Sequence, residues 1–350
     1  MKKTILTLAI LALLASISSC TKEKEGVYSP EQKIQTVYLD IKGYQEGEIV
    51  YLTPKYKSED WTWNDNSLVR IDYYELAYYY GEDSDTTVSQ LAFTQFFSYD
   101  KGDRLTKSEI LGEMNMVATY TYDGNYIETI IITEYDRPYL TYRFNRTDKK
   151  VTSIDITVNE DEFKKGASAD KAFKQLMRAN PLRFVMAPDV ASRTMTATQE
   201  CAKRMDKKGC TKAEMTVTLN VEWDGENISQ ISGTAMGETM TMTFKYDNKN
   251  NPFYGLFGID FLLNESDASI IPYQSMSRHN ITHLTLSYVE GGEEETESAD
   301  YSYTYNYNNK DFPTTKVLEM TDWVYDEETG EYELVELGDY RFVQTEYYEY

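Results

Sequence analysis

Apolar and polar residues alternate along most of this 350-residue chain. A period of two marks strands with one buried face. The alternation runs through residues 69–79, 129–133, 151–158, 215–221, 240–246, 283–289 and 301–307. Residues 322–325 and 332–334 flank Asp326-Glu327-Glu328-Thr329-Gly330 and predict a hairpin, and residues 340–350 predict a closing strand.

A longer pattern overlies the alternation: aromatic, any residue, aromatic-Asp, a polar turn, then a branched apolar residue. The first clear copy runs from Phe97-Ser98-Tyr99-Asp100 to Leu105, and the second from Tyr120-Thr121-Tyr122-Asp123 to Ile127. Phe144-Asn145 to Val151 is a degenerate third. The register returns at Val221-Glu222-Trp223-Asp224 to Ile228, at Phe244-Lys245-Tyr246-Asp247, and more weakly at Tyr305-Asn306-Tyr307. Aromatics two apart share a strand face, Asp or Asn bonds the backbone of the turn, and Gly or Asn accepts positive φ. Neighbouring copies stand about 22 to 23 residues apart, room for two strands and two turns. The expected fold is therefore all-β: a large curled or barrel-like antiparallel meander of hairpins.

Residues 159–212 break the pattern. Phe163, Ala167, Ala172, Phe173, Leu176 and Met177 fall mostly on one side of a predicted helix, which Pro181 ends. Twelve Lys/Arg against seven Asp/Glu make this segment basic. It reads as a partly helical insertion between hairpins of a single β domain over 36–350, shielding a sheet edge or serving as a docking arm.

The first 19 residues have the make-up of a signal peptide: Lys2 and Lys3, then an apolar stretch over 4–15, too short to span a bilayer. Ile17-Ser18-Ser19-Cys20 has the form of a lipobox, which makes Cys20 the expected site of acylation. The expected location is that of an outer-membrane lipoprotein, on the periplasmic face or the cell surface. Residues 20–35 read as a lipidated linker. Removal of Cys20 leaves Cys201 and Cys210, eight intervening residues apart, as a predicted disulfide in a compartment that permits one.

A formal net charge of −23 opposes nucleic acid and anionic lipid headgroups as partners. Membrane attachment is then expected through the acyl chains. A membrane-spanning barrel would need an apolar outward row of about five residues on every strand. Stretches such as Val151-Thr152-Ser153-Ile154-Asp155-Ile156-Thr157-Val158 supply only partial rows.

Lipobox, hairpin repeats and the stretch Tyr246-Asp247-Asn248-Lys249-Asn250-Asn251-Pro252-Phe253-Tyr254-Gly255 together resemble a family of Bacteroidales lipoproteins. Asn-Pro-Phe-Tyr-Gly is the most specific part, and Asn309-Lys310-Asp311-Phe312-Pro313-Thr314 agrees with it. The resemblance implies a porin-like domain, meaning a large curled antiparallel sheet, from about Ser67 to Tyr350. It supplies no catalytic residues.

Signatures of chemistry are sparse. His279 and His283 lack the Glu of a metalloprotease helix and sit at a strand entry, so no metal or other cofactor is expected. Serine-nucleophile, phosphate-loop and dinucleotide motifs are absent. Calcium at Asp83-Ser84-Asp85 or within 60–65 matches no known loop spacing. With 58 acids, pairs for a glycan hydrolase arise by chance. Trp61 and Trp63, and a tyrosine patch including Tyr73 and Tyr79, are candidate ligand-binding rings. Asp85-Thr86-Thr87 offers Thr86 as a candidate glycosylation site. Met236, Met240 and Met242 read as core. The expectation is a non-enzymatic envelope lipoprotein, either a module that binds a glycan, a peptide or an envelope protein or a structural component of the envelope, with a glycan hydrolase as the rival.

Overall fold

In a computed structural model, sixteen antiparallel strands close into a barrel. The structure describes residues 25–158 and 215–350 apart from 29, 46, 80–85, 112–115, 135–136, 236–237, 259–273, 290–295, 321–322, 327–330 and 335–339. The strands are β1 (Thr36–Gln45), β2 (Glu48–Asn64), β3 (Ser67–Tyr79), β4 (Thr86–Tyr99), β5 (Leu105–Leu111), β6 (Met116–Asp123), β7 (Tyr126–Glu134), β8 (Arg137–Thr147) and β9 (Lys150–Val158). They continue with β10 (Met215–Asp224), β11 (Asn227–Ala235), β12 (Glu238–Asn250), β13 (His279–Val289), β14 (Thr296–Tyr307) and β15 (Pro313–Met320). β18 (Tyr340–Glu349) closes the ring between β15 and β1. The predicted hairpin near the end forms as β16 (Trp323–Asp326) and β17 (Glu331–Leu334), but it stands apart as a two-stranded sheet. The 22- to 23-residue period is one hairpin pair of this meander, as the turn chemistry predicts.

All the aromatic-Asp turns gather at one end, called here the near end. Asp100 accepts there from the backbone N–H of Gly102 and Arg104 at 2.7 and 3.1 Å, and Asn308 accepts from Lys310 and Phe312 at 2.9 and 3.1 Å. Positive φ falls on Gly124 and Gly225, where a missing Cβ makes it cheap, and on Asp65, Asp103 and Asp311, of a type that tolerates it. After each near-end turn the second strand carries a one-residue bulge just past the apolar residue that ends the motif. Val69, Thr106, Glu128, Thr152, Ser229, Thr282 and Thr314 are the extra residues. A bulge disrupts the ladder locally. Thr106, Thr152 and Thr314 offset this by donating their hydroxyls to the carbonyls of Ser98, Asn145 and Asn306.

The inward aromatics of the motif do more than pack. Strands β1 and β2, β3 and β4, and so on round the ring are joined only at the far end, and at the near end a side chain stitches each pair. The Trp63 indole donates to the carbonyl of Ile34 at 2.7 Å, and Trp223 donates to Val151 at 2.7 Å. The Tyr99 hydroxyl donates to Leu68, Tyr122 to Leu105 at 2.6 Å, Tyr246 to Ile228 at 2.7 Å, Tyr305 to Ile281 at 2.7 Å and Tyr350 to Pro313 at 2.7 Å. The remaining pair is β7 and β8. There the Arg146 guanidinium donates to the Ile127 carbonyl at 2.5 Å. Arg146 pairs with Val151 as Tyr122 pairs with Ile127. The degenerate repeat is thus Phe144-Asn145-Arg146 in the register of Tyr120-Thr121-Tyr122, two residues from the alignment that its Asn suggested.

Inward positions are apolar from β6 through β14: Ile130 and Ile132 on β7, Tyr142 and Phe144 on β8, Ile154 and Ile156 on β9, and Met240 and Met242 on β12 belong to one continuous buried cluster. Strands β2, β4, β5, β15 and β18 add buried polar residues such as Glu59, Gln95, Ser108, Lys316 and Glu346. Outward positions are mostly hydroxylic or charged, with an apolar exception in the sector of β2 to β5. Thr216, Thr218, Asn220 and Glu222 of β10 are exposed, as are Ser302, Thr304 and Asn306 of β14. Alternation, not composition, sets this polarity.

Replacing Tyr122 by Phe removes the donor to a carbonyl at the edge of the core, whose desolvation is then uncompensated. Urea unfolding is expected to show a loss of about 1–2 kcal/mol. Thr119→Ala on the exposed face of the same strand should stay within about 0.5 kcal/mol. Burial pushes the hydroxyls of Tyr99, Tyr122, Tyr246 and Tyr350 above the usual phenol range. The unfolded chain therefore releases these protons first. Stability should be unaffected by them below the unfolded value of about 10 and should fall as pH rises beyond it. The tyrosinate absorbance of these four rings, read as the difference from their Phe variants, is expected to appear together with loss of the circular-dichroism signal for strands, not before it.

Candidate functional site: the plugged end of the barrel

Sixteen-stranded barrels of regular shape leave an aqueous channel. Two chain segments fill the near mouth of this one. The first is the stretch that follows β12. Asn251 turns it inward: its Nδ2 donates to the carbonyls of Gln274 and Ser277 at 2.7 and 2.8 Å, and its Oδ1 accepts from the N–H of Phe253 at 2.9 Å. Phe253 then packs against Trp61 of β2 and Tyr348 of β18, each at 6.2 Å between ring centroids. Four residues on, Phe257 meets the edge of Phe144 on β8 at 5.0 Å. The stretch thus bridges the lumen between distant strands. Gly258 has φ of 101° and lies where a Cβ would be 3.0 Å from the Tyr120 ring, so a side chain there would be strained and crowded.

The second segment is the one read as linker. From Glu25 onward it is packed, not free. Tyr28 and Ile34 are buried members of the core, and the Tyr28 hydroxyl donates to the Phe257 carbonyl at 3.0 Å. The Glu25 carboxylate accepts from the Ile127 N–H and from Arg146, both at 2.7 Å. Burial pushes the Glu25 carboxyl up from the usual carboxylate range, opposed by the charge of Arg146 and the Ile127 hydrogen bond. Sequence reasoning missed this clamp because a lone Glu and a lone Arg, 121 residues apart, give no local signal.

Beneath the plug lies a cavity of about 10 Å³, lined by Asn251, Phe253, Gln274, Asn280, Lys316 and Tyr348 among others. It has room for about one water molecule. Beside it, Lys316 of β15 pairs with Glu346 of β18 at 3.0 Å, with both side chains under a tenth exposed. Tyr348 donates to the second oxygen of Glu346, and Lys316 lies 5.4 Å from the centre of the Tyr303 ring. This pair sits on the strand that closes the barrel. A buried ion pair there penalises any slip of register that would separate the charges.

The sequence-predicted site residues scatter. Trp61 and Tyr73 face inward at 7% and 5% exposure, so their rings are not open to a ligand from solvent. Trp61 donates to Glu59 at 2.6 Å and stacks on Trp63, and Tyr73 stacks on Phe93 and donates to Gln95. Tyr79 and Thr86 pair across β3 and β4. His279 and His283 both lie on β13, His279 against Asn227 at 3.0 Å and His283 exposed. Met240 and Met242 are buried core, as read. Among the described residues no cluster of potential metal ligands occurs. Cys20, Cys201, Cys210, Asp83, Asp85, Met236 and the insertion over 159–212 lie outside the described residues.

Comparison with known proteins finds similarity among solved structures. No family model matches the chain, and no curated protein matches it. Among solved structures it is similar to a porin-like protein from Bacteroides uniformis, at 12% identity over 92% of this chain and 99% of the other, with a TM-score of 0.45.

Lys316→Met leaves Glu346 buried without its cation and is expected to cost about 3–5 kcal/mol in denaturant unfolding. Adding Glu346→Gln removes the stranded charge while keeping an acceptor for Tyr348. The double variant should recover most of the loss.

Proposed function

We propose that this chain is a non-enzymatic cell-envelope lipoprotein, held to the outer membrane by acyl chains on Cys20, whose barrel is a binding or structural module standing in water. One observation carries this reading: the polarity of the barrel is that of a water-facing protein. A barrel embedded in lipid presents an apolar outer band and a polar lumen. Here Thr, Ser, Asn and charged residues face outward while Ile, Leu, Met and aromatics face inward. Such a wall cannot sit in hydrocarbon without burying its hydroxyls and charges, which costs several kcal/mol per charged group. Attachment through Cys20 removes the need for it to do so.

The same polarity bears on ligands. The plug fills the near mouth and leaves a water-sized cavity beneath it, so a glycan, a peptide or an envelope protein would meet the barrel at its outer wall or its far end. The large apolar residues exposed on the outer wall, Ile49 and Leu52 on β2, Leu91 and Phe96 on β4 and Leu111 on β5, occupy one sector of the ring. Exposed apolar patches of this kind mark contact surfaces. A hydrolase would need two open carboxylates. Inside the described barrel Glu59 is engaged by Trp61, and Glu346 by Lys316 and Tyr348.

Two measurements test the proposal. Without residues 1–20, the chain is expected to stay monodisperse in aqueous buffer free of detergent; aggregation that only detergent reverses would overturn the water-facing reading. The full-length chain should incorporate labelled palmitate in cells and lose the label in Cys20→Ala.

A further inference from the structure

Where the chain enters the barrel limits how the barrel can stand on a membrane. Glu25 is fixed at the near end by its backbone N–H to Asn125 at 2.9 Å and by its carboxylate clamp to Ile127 and Arg146. The next residue is locked as well. The Gly26 carbonyl accepts from the Leu105 N–H at 2.8 Å, and a Cβ at Gly26, where φ is 74°, would lie 2.1 Å from the Tyr122 hydroxyl. Cys20 stands five residues before this clamp. A fully extended chain of that length reaches about 17 Å.

The barrel is taller than that. The 13 residues of β12 extend about 43 Å at ~3.3 Å per residue, and a tilt of about 40° leaves roughly 33 Å along the axis. Acyl chains on Cys20 therefore reach the near end and fall far short of the far end. We infer that the Glu25 clamp stands the barrel with its plugged near end against the bilayer surface, and that the far ends of the strands, Val158 and Met215 among them, point away from it. This orientation rests on acylation of Cys20.

Charge agrees with the placement. The near-end positions (25, 31, 33, 65–66, 100–104, 123–126, 146, 148–150, 224–226, 247–251, 278, 308–312 and 349) hold nine Lys/Arg against twelve Asp/Glu. The chain as a whole carries −23. Most of the acidic excess of the chain thus belongs to residues outside the near end, and a near end of low net charge lowers the repulsion from anionic headgroups. The near-end cations are also held in place: Lys249 pairs with Asp311 at 2.8 Å, and Arg278 with Glu226 at 3.0 Å.

The test uses the full-length acylated protein on vesicles of phosphatidylcholine and phosphatidylglycerol, with Cys201→Ser and Cys210→Ser to clear other thiols. A fluorophore is attached at Lys310→Cys, exposed at the near end, or at Glu48→Cys, exposed at the far end, and a quencher is carried on the lipid headgroups. Quenching at position 310 should exceed that at position 48 severalfold. Equal or reversed quenching on protein whose mass confirms the acyl chains would overturn the orientation while leaving the anchor intact. A mass without acyl chains, with no flotation on vesicles, would overturn the anchor and the orientation together. A long Gly-Ser spacer inserted between Lys24 and Glu25 should erase the difference between the two labels; persistence of the difference would overturn the short clamped tether as its cause.

Discussion

The interaction on which this structure depends is a hydrogen bond from an inward side chain to the backbone carbonyl at the start of the neighbouring hairpin. Eight such bonds ring the near end, one for each strand pair that the chain itself joins only at the far end. The near-end turns and bulges loosen the ladder where strands begin, leaving carbonyls at the rim of an apolar core. An amphipathic ring, buried through its body and polar at its tip, fills the core and satisfies the carbonyl in one residue. Tyrosine meets the requirement five times and tryptophan twice. At β8 an arginine takes the role and is itself held by Glu25, so the entry of the N-terminal segment is part of the same ring.

The ring also explains why the lumen is closed. Aromatics held inward at regular intervals narrow the mouth, and what remains is filled by Asn251 to Gly258 and by Glu25 to Ile34. The core of the barrel is then continuous with its plug, and the outer wall is left to solvent. A barrel built this way gains its stability as a soluble protein does, from a dry interior.

Much of this was legible in the chain, for a local reason. Two aromatics at i and i+2 share a face whatever the fold, an Asp or Asn at the strand end bonds the turn behind it, and a repeated spacing implies repeated hairpins. Phe97 and Tyr99, Tyr120 and Tyr122, and Tyr246 followed by Asp247 could be read on those grounds alone. The degenerate copy misled by two residues because Arg146 does the work of a tyrosine without resembling one. Trp61 and Tyr73 suggested a recognition surface because alternation tells which residues share a face, but not whether that face looks toward solvent or core. The segment after Cys20 looked like tether because Tyr28 and Ile34 are isolated apolar residues with no period.

The sequence by itself determined the strand content, the turn positions, the hairpin period and the expectation of an anchor at Cys20, since each follows from the chemistry of residues within a few positions of one another. The tertiary structure alone decided that the sheet closes, that β18 inserts between β15 and β1, that Lys316 meets Glu346, and that the Asn251 stretch turns inward as a plug. These depend on contacts between residues tens to hundreds of positions apart, from 23 for Asn251 and Gln274 to 307 for Asp40 and Tyr347. No local pattern encodes such pairings. They are selected when the whole inward face is buried at once.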